Sequence, residues 1–234
     1  MTQNSKQSKN AKAASPESEP LKVNWWAILL AVAIVGGALF YSQSQGNRIA
    51  TAPAAAAGDC ADGTSSKQYS SAPPMTIDAS KQYSATVKMA KGGEFVIELY
   101  PDKAPITVNS FVFLAREGYF NCVTFHRVLE GFMAQGGDPT DTGSGGPGYE
   151  FVNEDSDLKF DKEGVVAMAN AGRDTNGSQF FITFAPAEFL NGGYTIFGQV
   201  TEGMEVVNAI TRRDPQANPN FAGDMIESVT IKEK

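Results

Sequence analysis

Four short segments of the sequence carry the residue types that could bind or transform a ligand. They are F-H-R-V at 125–128, G-F-M-A-Q-G-G-D at 131–138, M-A-N-A-G at 168–172 and N-G-S-Q-F-F-I-T at 176–183. Together they supply one arginine, the amide side chain of Gln135 and several large apolar side chains among glycines, without an evident pair of nucleophile and base. Such a set suits an apolar, uncharged group bound beside a single strong hydrogen-bond donor.

Residue counts argue against metal chemistry. The chain has 1 histidine and 2 cysteines, too few for a histidine-rich site or a structural zinc site with four such ligands. No motif places a carboxylate or a nucleophile beside His126, so we expect this histidine to be structural. The glycines at 143–148 lack the Lys-Ser/Thr ending of a phosphate loop, and the acidic stretch 154–163 is predicted to be a solvated loop rather than a calcium site. We therefore expect no metal and no cofactor.

The hydrophobic pattern predicts the elements that must position these segments. Residues 83–89 and 94–100 alternate on either side of a Gly-Gly turn, which is typical of a β-hairpin. A helix is predicted to begin at Pro105 and to stop at Gly118, and a second helix is predicted over 203–213. Between the helices the chain consists of short apolar runs separated by Gly, Asn and Asp, which indicates a mostly β domain that closes on itself.

The same segments resemble the cyclophilin family of peptidyl-prolyl cis–trans isomerases, in the family's order and at close to its spacing. The resemblance runs from about Ser84 to Ile231. It implies a mostly β fold, a closed eight-stranded antiparallel barrel capped by two helices, with a substrate groove on the outer face of the barrel. It also implies isomerase (rotamase) activity on X-Pro bonds of proline-containing polypeptides, with no cofactor.

The resemblance carries individual roles to positions of this chain. Arg127 corresponds to the catalytic arginine, and Gln135 is expected to bind the substrate backbone and to hold Arg127. Spacing alone favours a core role for the large apolar residues, whereas the resemblance implies that a proline pocket is lined by Phe132, Met133, Phe181 and Leu190. Gly143 and the run Ala169, Asn170 and Ala171 are expected to border the groove.

Two aromatic positions differ from the best-studied eukaryotic pattern of the family. Phe189 stands where those proteins often have tryptophan, and Tyr194 stands where they have histidine. These choices are similar to those of many bacterial members, and Tyr194 retains an aromatic wall. The missing indole N–H removes a donor that cyclosporin complexes of the family use, so we expect weak cyclosporin binding.

The N-terminal part of the sequence predicts a membrane segment. Residues 25–41 contain no charge, and aromatic side chains stand at both ends, Trp25 and Trp26 at the start and Tyr41 at the end. Four lysines precede the segment, so the positive-inside rule places residues 1–24 in the cytoplasm and the later residues outside it. We expect a single-pass signal-anchor in the cell membrane; a cleaved signal peptide, which would give a secreted protein, remains the alternative.

Residues 42–74 have the composition of a flexible linker, and the isomerase domain is predicted over 75–234. Cys60 in the linker and Cys122 in the domain would both lie on the oxidising side of the membrane, where they can form a disulfide or remain free thiols.

The charge of the chain argues against a nucleic-acid partner. The formal net charge is −7, whereas a domain that neutralises phosphates needs a basic surplus. We expect an extracytoplasmic isomerase that assists the folding of exported proteins. A groove that binds prolyl segments without turnover and a domain that docks one fixed partner are the alternatives.

Overall fold

The computed structural model describes residues 67–234. The predicted cytoplasmic segment 1–24, the predicted span 25–41 and Cys60 lie outside the described residues. Within the described range neither α-helix has the length and apolarity that a membrane crossing requires.

Nine antiparallel strands, two α-helices and two short 3₁₀-helices (Glu188–Leu190 and Pro215–Ala217) make up the regular structure of residues 67–234. The strands are β1 (Tyr83–Met89), β2 (Glu94–Leu99), β3 (Thr124–Phe125), β4 (Arg127–Leu129), β5 (Met133–Gly136), β6 (Val165–Met168), β7 (Phe180–Thr183), β8 (Ile196–Glu202) and β9 (Asp224–Glu233). The helices are α1 (Pro105–Arg116) and α2 (Met204–Asn208). The domain is therefore mostly β, as the sequence predicts.

The strands form one nearly closed barrel in the order β3-β9-β1-β2-β8-β6-β7-β5-β4. The two ends of this order, β3 and β4, are separated in the chain by His126 alone, and an isolated bridge joins Thr124 to Asp138 across the gap. The eight strands implied by the family resemblance become nine because the F-H-R segment pairs with β9 before His126 and with β5 after it.

Helix α1 follows the prediction, and its first turn is stabilised from another part of the chain. Ala104 provides no side-chain cap, but the Glu154 carboxylate accepts hydrogen bonds from the backbone N–H of Ile106 at 2.9 Å and of Thr107 at 2.8 Å. The free N–H groups of a helix start attract such a carboxylate. The acidic stretch 154–163 thus contributes a helix cap and is not only a solvated loop.

Helix α2 has five residues and is shorter than predicted over 203–213. Ile210 is buried as the helical spacing suggests, but the backbone of Arg213 pairs with Val128 in both directions, at 2.7 and 2.9 Å. That β-type pairing cannot be made by residues in a helix, so the helix ends earlier.

Side-chain alternation divides the apolar residues into an inner and an outer cluster. On β7, Phe180 and Ile182 point into the barrel, whereas Phe181 belongs to the outer cluster. On β5, Ala134 is inside and Met133 is outside. Successive residues of a strand face opposite sides, so the F-F-I and M-A-Q segments serve both the core and a surface site.

Candidate active site

Arg127 and Gln135 lie directly opposite each other across the β4–β5 pair. A tight turn at Gly131, which has a φ of +65°, joins the two strands and fixes this register. The Arg127 guanidinium donates a hydrogen bond to Oε1 of Gln135 at 3.3 Å and lies 3.9 Å from Sδ of Met133. The expectation that Gln135 holds Arg127 therefore agrees with the geometry.

A second glutamine extends this contact, and the sequence reasoning did not single it out. Gln135 donates through Nε2 to Oε1 of Gln179 at 2.9 Å, and Gln179 in turn donates to the carbonyl oxygen of Gly145 at 2.9 Å. Gln179 lies inside the N-G-S-Q-F-F-I-T motif, so the motif was the signal that could have found it. The result is a chain of hydrogen bonds from the 143–148 loop to Arg127.

The predicted proline-pocket residues meet in the outer cluster beside Arg127. Met133, Phe181 and Leu190 are buried members of the cluster, and Phe132 and Tyr194 pack against it. The rings of Phe181 and Tyr194 meet edge to face at a centroid distance of 5.5 Å. These residues are apolar and yet outside the barrel, which reconciles the core prediction from spacing with the pocket implied by the resemblance.

Two more phenylalanines complete the wall of this cluster. Phe160, absent from the predicted set, stacks on Phe181 at 5.8 Å with an interplanar angle of 14°. Phe189 has 77% of its surface exposed, and its ring lies 5.5 Å from that of Phe132. An exposed ring beside an apolar cluster is available to a ligand.

The predicted groove-border residues occupy neighbouring loops. The Asn170 side chain donates to the carbonyl oxygen of Gly193 at 3.3 Å, next to Tyr194, and its Oδ1 accepts the N–H of Gly172 at 3.2 Å. Ala169 donates its N–H to the carbonyl oxygen of Gln179 at 2.9 Å, which joins this loop to the amide chain. The exposed Ala171 donates to Thr175 in its own loop at 2.9 Å.

Gly143, also predicted to border the groove, is held by the carboxylate of Asp138. It donates its N–H to Oδ2 at 2.5 Å, and Gly145 donates to the same oxygen at 3.1 Å. A side chain added at position 143 would meet Nε2 of His126, at 3.9 Å from its Cβ, and no residue of the apolar cluster.

Burial sets the electrostatics of the site. Burial lowers the pKa of Arg127 from its usual value, while Asp214 and Tyr194 act in the opposite direction. An arginine still keeps its proton at neutral pH, so Arg127 is a permanent cationic donor. Burial opposes ionisation of Asp138, but the hydrogen bonds from Thr140 and Gly145 outweigh it and hold the pKa of this carboxyl below its usual range.

The residues of this site lie within a match to a known family model. The model described as "Cyclophilin type peptidyl-prolyl cis-trans isomerase/CLD" matches residues 85–232, well over half of the chain. The chain belongs to the cyclophilin family. Its enzyme class is therefore that of the cyclophilin-type peptidyl-prolyl cis–trans isomerases.

Curated proteins similar to this cyclophilin are named as peptidyl-prolyl isomerases or as proteins with such a domain. Peptidyl-prolyl cis-trans isomerase-like 1 of Mus musculus is 53% identical over 122 residues, which cover 50% of this chain and 74% of that protein. Peptidylprolyl isomerase domain and WD repeat-containing protein 1, also of Mus musculus, is 45% identical over 146 residues, covering 60% of this chain and 23% of that protein.

A solved cyclophilin has the same fold. The crystal structure of a cyclophilin type isomerase of Cryptosporidium parvum matches with a TM-score of 0.59 and 31% identity, covering 65% of this chain and 99% of that chain. A second structure of that protein, in the presence of the dipeptide Ala-Pro, matches with a TM-score of 0.58. Residues 67–82 of the present cyclophilin precede the family match; most of them are exposed, but Ile77 is buried and Tyr69 packs against the inner cluster.

Proposed function

We propose that this cyclophilin isomerises X-Pro bonds of polypeptides by non-covalent catalysis, with Arg127 as the catalytic residue. The observation that carries the proposal is the placement of one half-buried cationic donor, held by Gln135, at the edge of an outer apolar cluster. The Ala-Pro dipeptide present with the similar Cryptosporidium parvum cyclophilin supports a prolyl substrate.

The chemistry follows from the amide bond. Partial double-bond character gives peptide rotation a barrier of about 18–20 kcal/mol. When the X-Pro bond twists, its nitrogen loses conjugation and becomes a better hydrogen-bond acceptor, so an arginine donor stabilises the twisted state more than either planar state. No proton transfer and no covalent intermediate are required.

The other residues bind and orient the substrate. Met133, Phe181 and Leu190 offer an apolar surface for the pyrrolidine ring and exclude water from it. The hydrogen bond between Gln135 and Arg127 fixes the direction of the guanidinium, because a side chain with many rotamers is costly to order at the moment of reaction.

The test compares the full chain with Arg127→Ala and Arg127→Lys in an isomerisation assay of a short X-Pro peptide. We expect kcat/KM to fall by at least about 100-fold in Arg127→Ala, which corresponds to roughly 2.7 kcal/mol of transition-state stabilisation. Lysine cannot reproduce the fixed donor geometry, so Arg127→Lys is expected to retain only a small part of the wild-type kcat/KM.

Arg116→Ala is the matched control, because Arg116 is an exposed arginine at the end of α1 that pairs with Glu233 of β9. Circular dichroism checks that all variants are equally folded. Wild-type activity in Arg127→Ala would reject the role of Arg127, whereas peptide binding without turnover by the folded wild type would identify a binding module.

We further propose that the enzyme is a membrane-anchored, bacterial-type cyclophilin that acts on exported proteins outside the cytoplasm. The uncharged segment 25–41 and the lysines before it support this topology. Protease treatment of intact cells that express the full chain should remove a C-terminal tag, and the mass of the mature protein should retain residues 1–24. Loss of residues 1–24 would indicate a cleaved signal peptide, and a protected C-terminus would contradict an extracytoplasmic domain.

A further inference from the structure

Residues 67–77, here called the N-terminal strap, cross the domain without regular secondary structure and precede the family match. Their C-terminal end is attached to helix α1 by Asn109. The Asn109 side chain accepts the N–H of Thr76 at 2.8 Å and donates to the carbonyl oxygen of Pro74 at 3.0 Å. The strap therefore has a fixed attachment on the body of the domain.

The other end of the strap is attached by an aromatic residue. The half-buried ring of Tyr69 meets Phe113 edge to face at 5.0 Å and lies 6.4 Å from the rings of both Tyr119 and Tyr149. Aromatic contacts of this geometry contribute beyond the apolar area that they bury. The ring thus fixes the position of the strap backbone at residue 69.

At this point the strap contacts the 143–148 loop, here called the glycine loop. Tyr69 donates its N–H to the carbonyl oxygen of Pro147 at 2.8 Å, and the Gln68 side chain donates to that of Gly146 at 2.7 Å. A side chain at position 148 would collide with the carbonyl oxygen of Tyr69, so glycine allows the close approach.

The glycine loop is the same loop that ends the amide chain of the active site. Gln179 donates to the carbonyl oxygen of Gly145, and its own Oε1 accepts from Gln135. Asp138 holds the N–H groups of Gly143 and Gly145 from the barrel side. The strap holds the following residues, 146 and 147, from the outside.

Four of the six residues of the glycine loop are glycines, which lose more backbone entropy on ordering than any other residue. Contacts on one side alone would leave such a loop several arrangements. The Gly145 carbonyl oxygen, which accepts from Gln179, would then hold the Gln179 side chain in more than one position. Contacts from both Asp138 and the N-terminal strap restrict the glycine loop to one arrangement.

We propose that the N-terminal strap positions the glycine loop and, through Gly145 and Gln179, the Gln135–Arg127 pair. Tyr69 is then a positioning residue for isomerisation, with a smaller contribution from the exposed Gln68. The proposal rests on the catalytic role of Arg127. It makes the segment that leads to the domain a part of its catalytic apparatus rather than a passive tether.

The test measures kcat and KM of the full chain carrying Tyr69→Ala or Tyr69→Phe, well below the melting temperature. We expect kcat/KM to fall about 3- to 10-fold in Tyr69→Ala, the size typical of coupling through packed networks. Tyr69→Phe retains the ring and is expected to remain near wild type. Val207→Ala, a buried truncation in α2, controls for a general loss of stability.

A double-mutant cycle with Gln179→Ala identifies the route. If the strap acts through Gln179, then Tyr69→Ala causes no further loss in the Gln179→Ala background. In a chain with no other substitution, Tyr69→Ala should also shift the side-chain amide NMR signals of Gln135 and Gln179, while Val207→Ala leaves them in place.

Three results would overturn the proposal: full activity of Tyr69→Ala, an equal loss in Tyr69→Phe, or additive losses in the cycle. They are distinguishable from a failure of the proposed function. If Arg127→Ala stays active, the catalytic role fails; if Arg127→Ala is inactive and Tyr69→Ala is active, only the strap proposal fails.

Discussion

The Arg127 guanidinium donates to the amide oxygen of Gln135 from the directly opposite position on the neighbouring strand. The contact orients a charged donor without neutralising it, because an amide carries no net charge. A carboxylate in the same place would also restrain the arginine, but it would compete with the substrate for the hydrogen bonds of the guanidinium.

Replacement of Gln135 by glutamate or alanine tests this relationship. We expect Gln135→Ala to lower kcat/KM about 10-fold, because the donor loses its orientation. Gln135→Glu is expected to lower kcat/KM at least as much, because the new carboxylate forms an ion pair with Arg127 and the amide N–H that donates to Gln179 is lost. The measurement is an X-Pro peptide assay with Gln82→Ala, an exposed glutamine, as the control; a fully active Gln135→Glu would contradict the need for a neutral partner.

Because Glu154 caps helix α1, we expect its replacement to lower the stability of the domain. Glu154→Ala leaves the N–H groups of Ile106 and Thr107 without this acceptor and should lower the free energy of unfolding by about 1 kcal/mol. Urea unfolding measures the change. Glu154→Gln should lose less because it keeps one oxygen, and the exposed neighbour Glu150→Ala serves as the control; equal midpoints for the three variants would disprove the cap.

His126 predicts a pH dependence of stability. Burial lowers its pKa, with Arg213 and Arg127 acting in the same direction and Asp138 and Asp141 acting against it. Below about pH 6.5 the unfolded chain binds a proton that the folded chain does not, so the free energy of unfolding should fall as the pH decreases from 7.5 to 5.5.

Urea unfolding of wild type and His126→Phe at pH 7.5, 6.5 and 5.5 measures this effect. The sequence has only 1 histidine, so a change in the free energy of unfolding at pH values above those at which carboxylates titrate arises mainly from His126. The variant should show a flatter dependence; parallel curves for the two proteins would rule out His126 as the cause.

Cyclosporin binding is predicted to be weak, because Phe189 has no indole N–H. Its exposed ring beside Phe132 leaves room for a larger aromatic side chain. We expect Phe189→Trp to tighten binding about 10-fold, the gain typical of one hydrogen bond. Calorimetry compares it with Phe221→Trp, an exposed phenylalanine in another loop; nanomolar affinity of the wild type would contradict the prediction.

Predictions from local sequence succeeded where a short segment decides its own structure. Pro105, the apolar spacing after it and Gly118 define α1, and the alternating segments around Gly92 and Gly93 form the β1–β2 hairpin. The prediction for α2 was too long because Arg213 pairs with Val128, a contact between residues 85 positions apart that no local pattern contains.

The sequence by itself determined the family, the enzyme class and the residue types of the site, because these are carried by contiguous motifs. The resemblance implied that Phe181 faces the groove, but only the tertiary structure decided that Phe180 and Ile182 fill the barrel, since spacing alone cannot say which side of a strand is the inside. It also decided that Gln179 and Phe160 join the predicted residues and that Tyr69 contacts the glycine loop. The physical reason is that side-chain hydrogen bonds and ring contacts depend on strand register and chain crossing, which arise only when distant segments pack together.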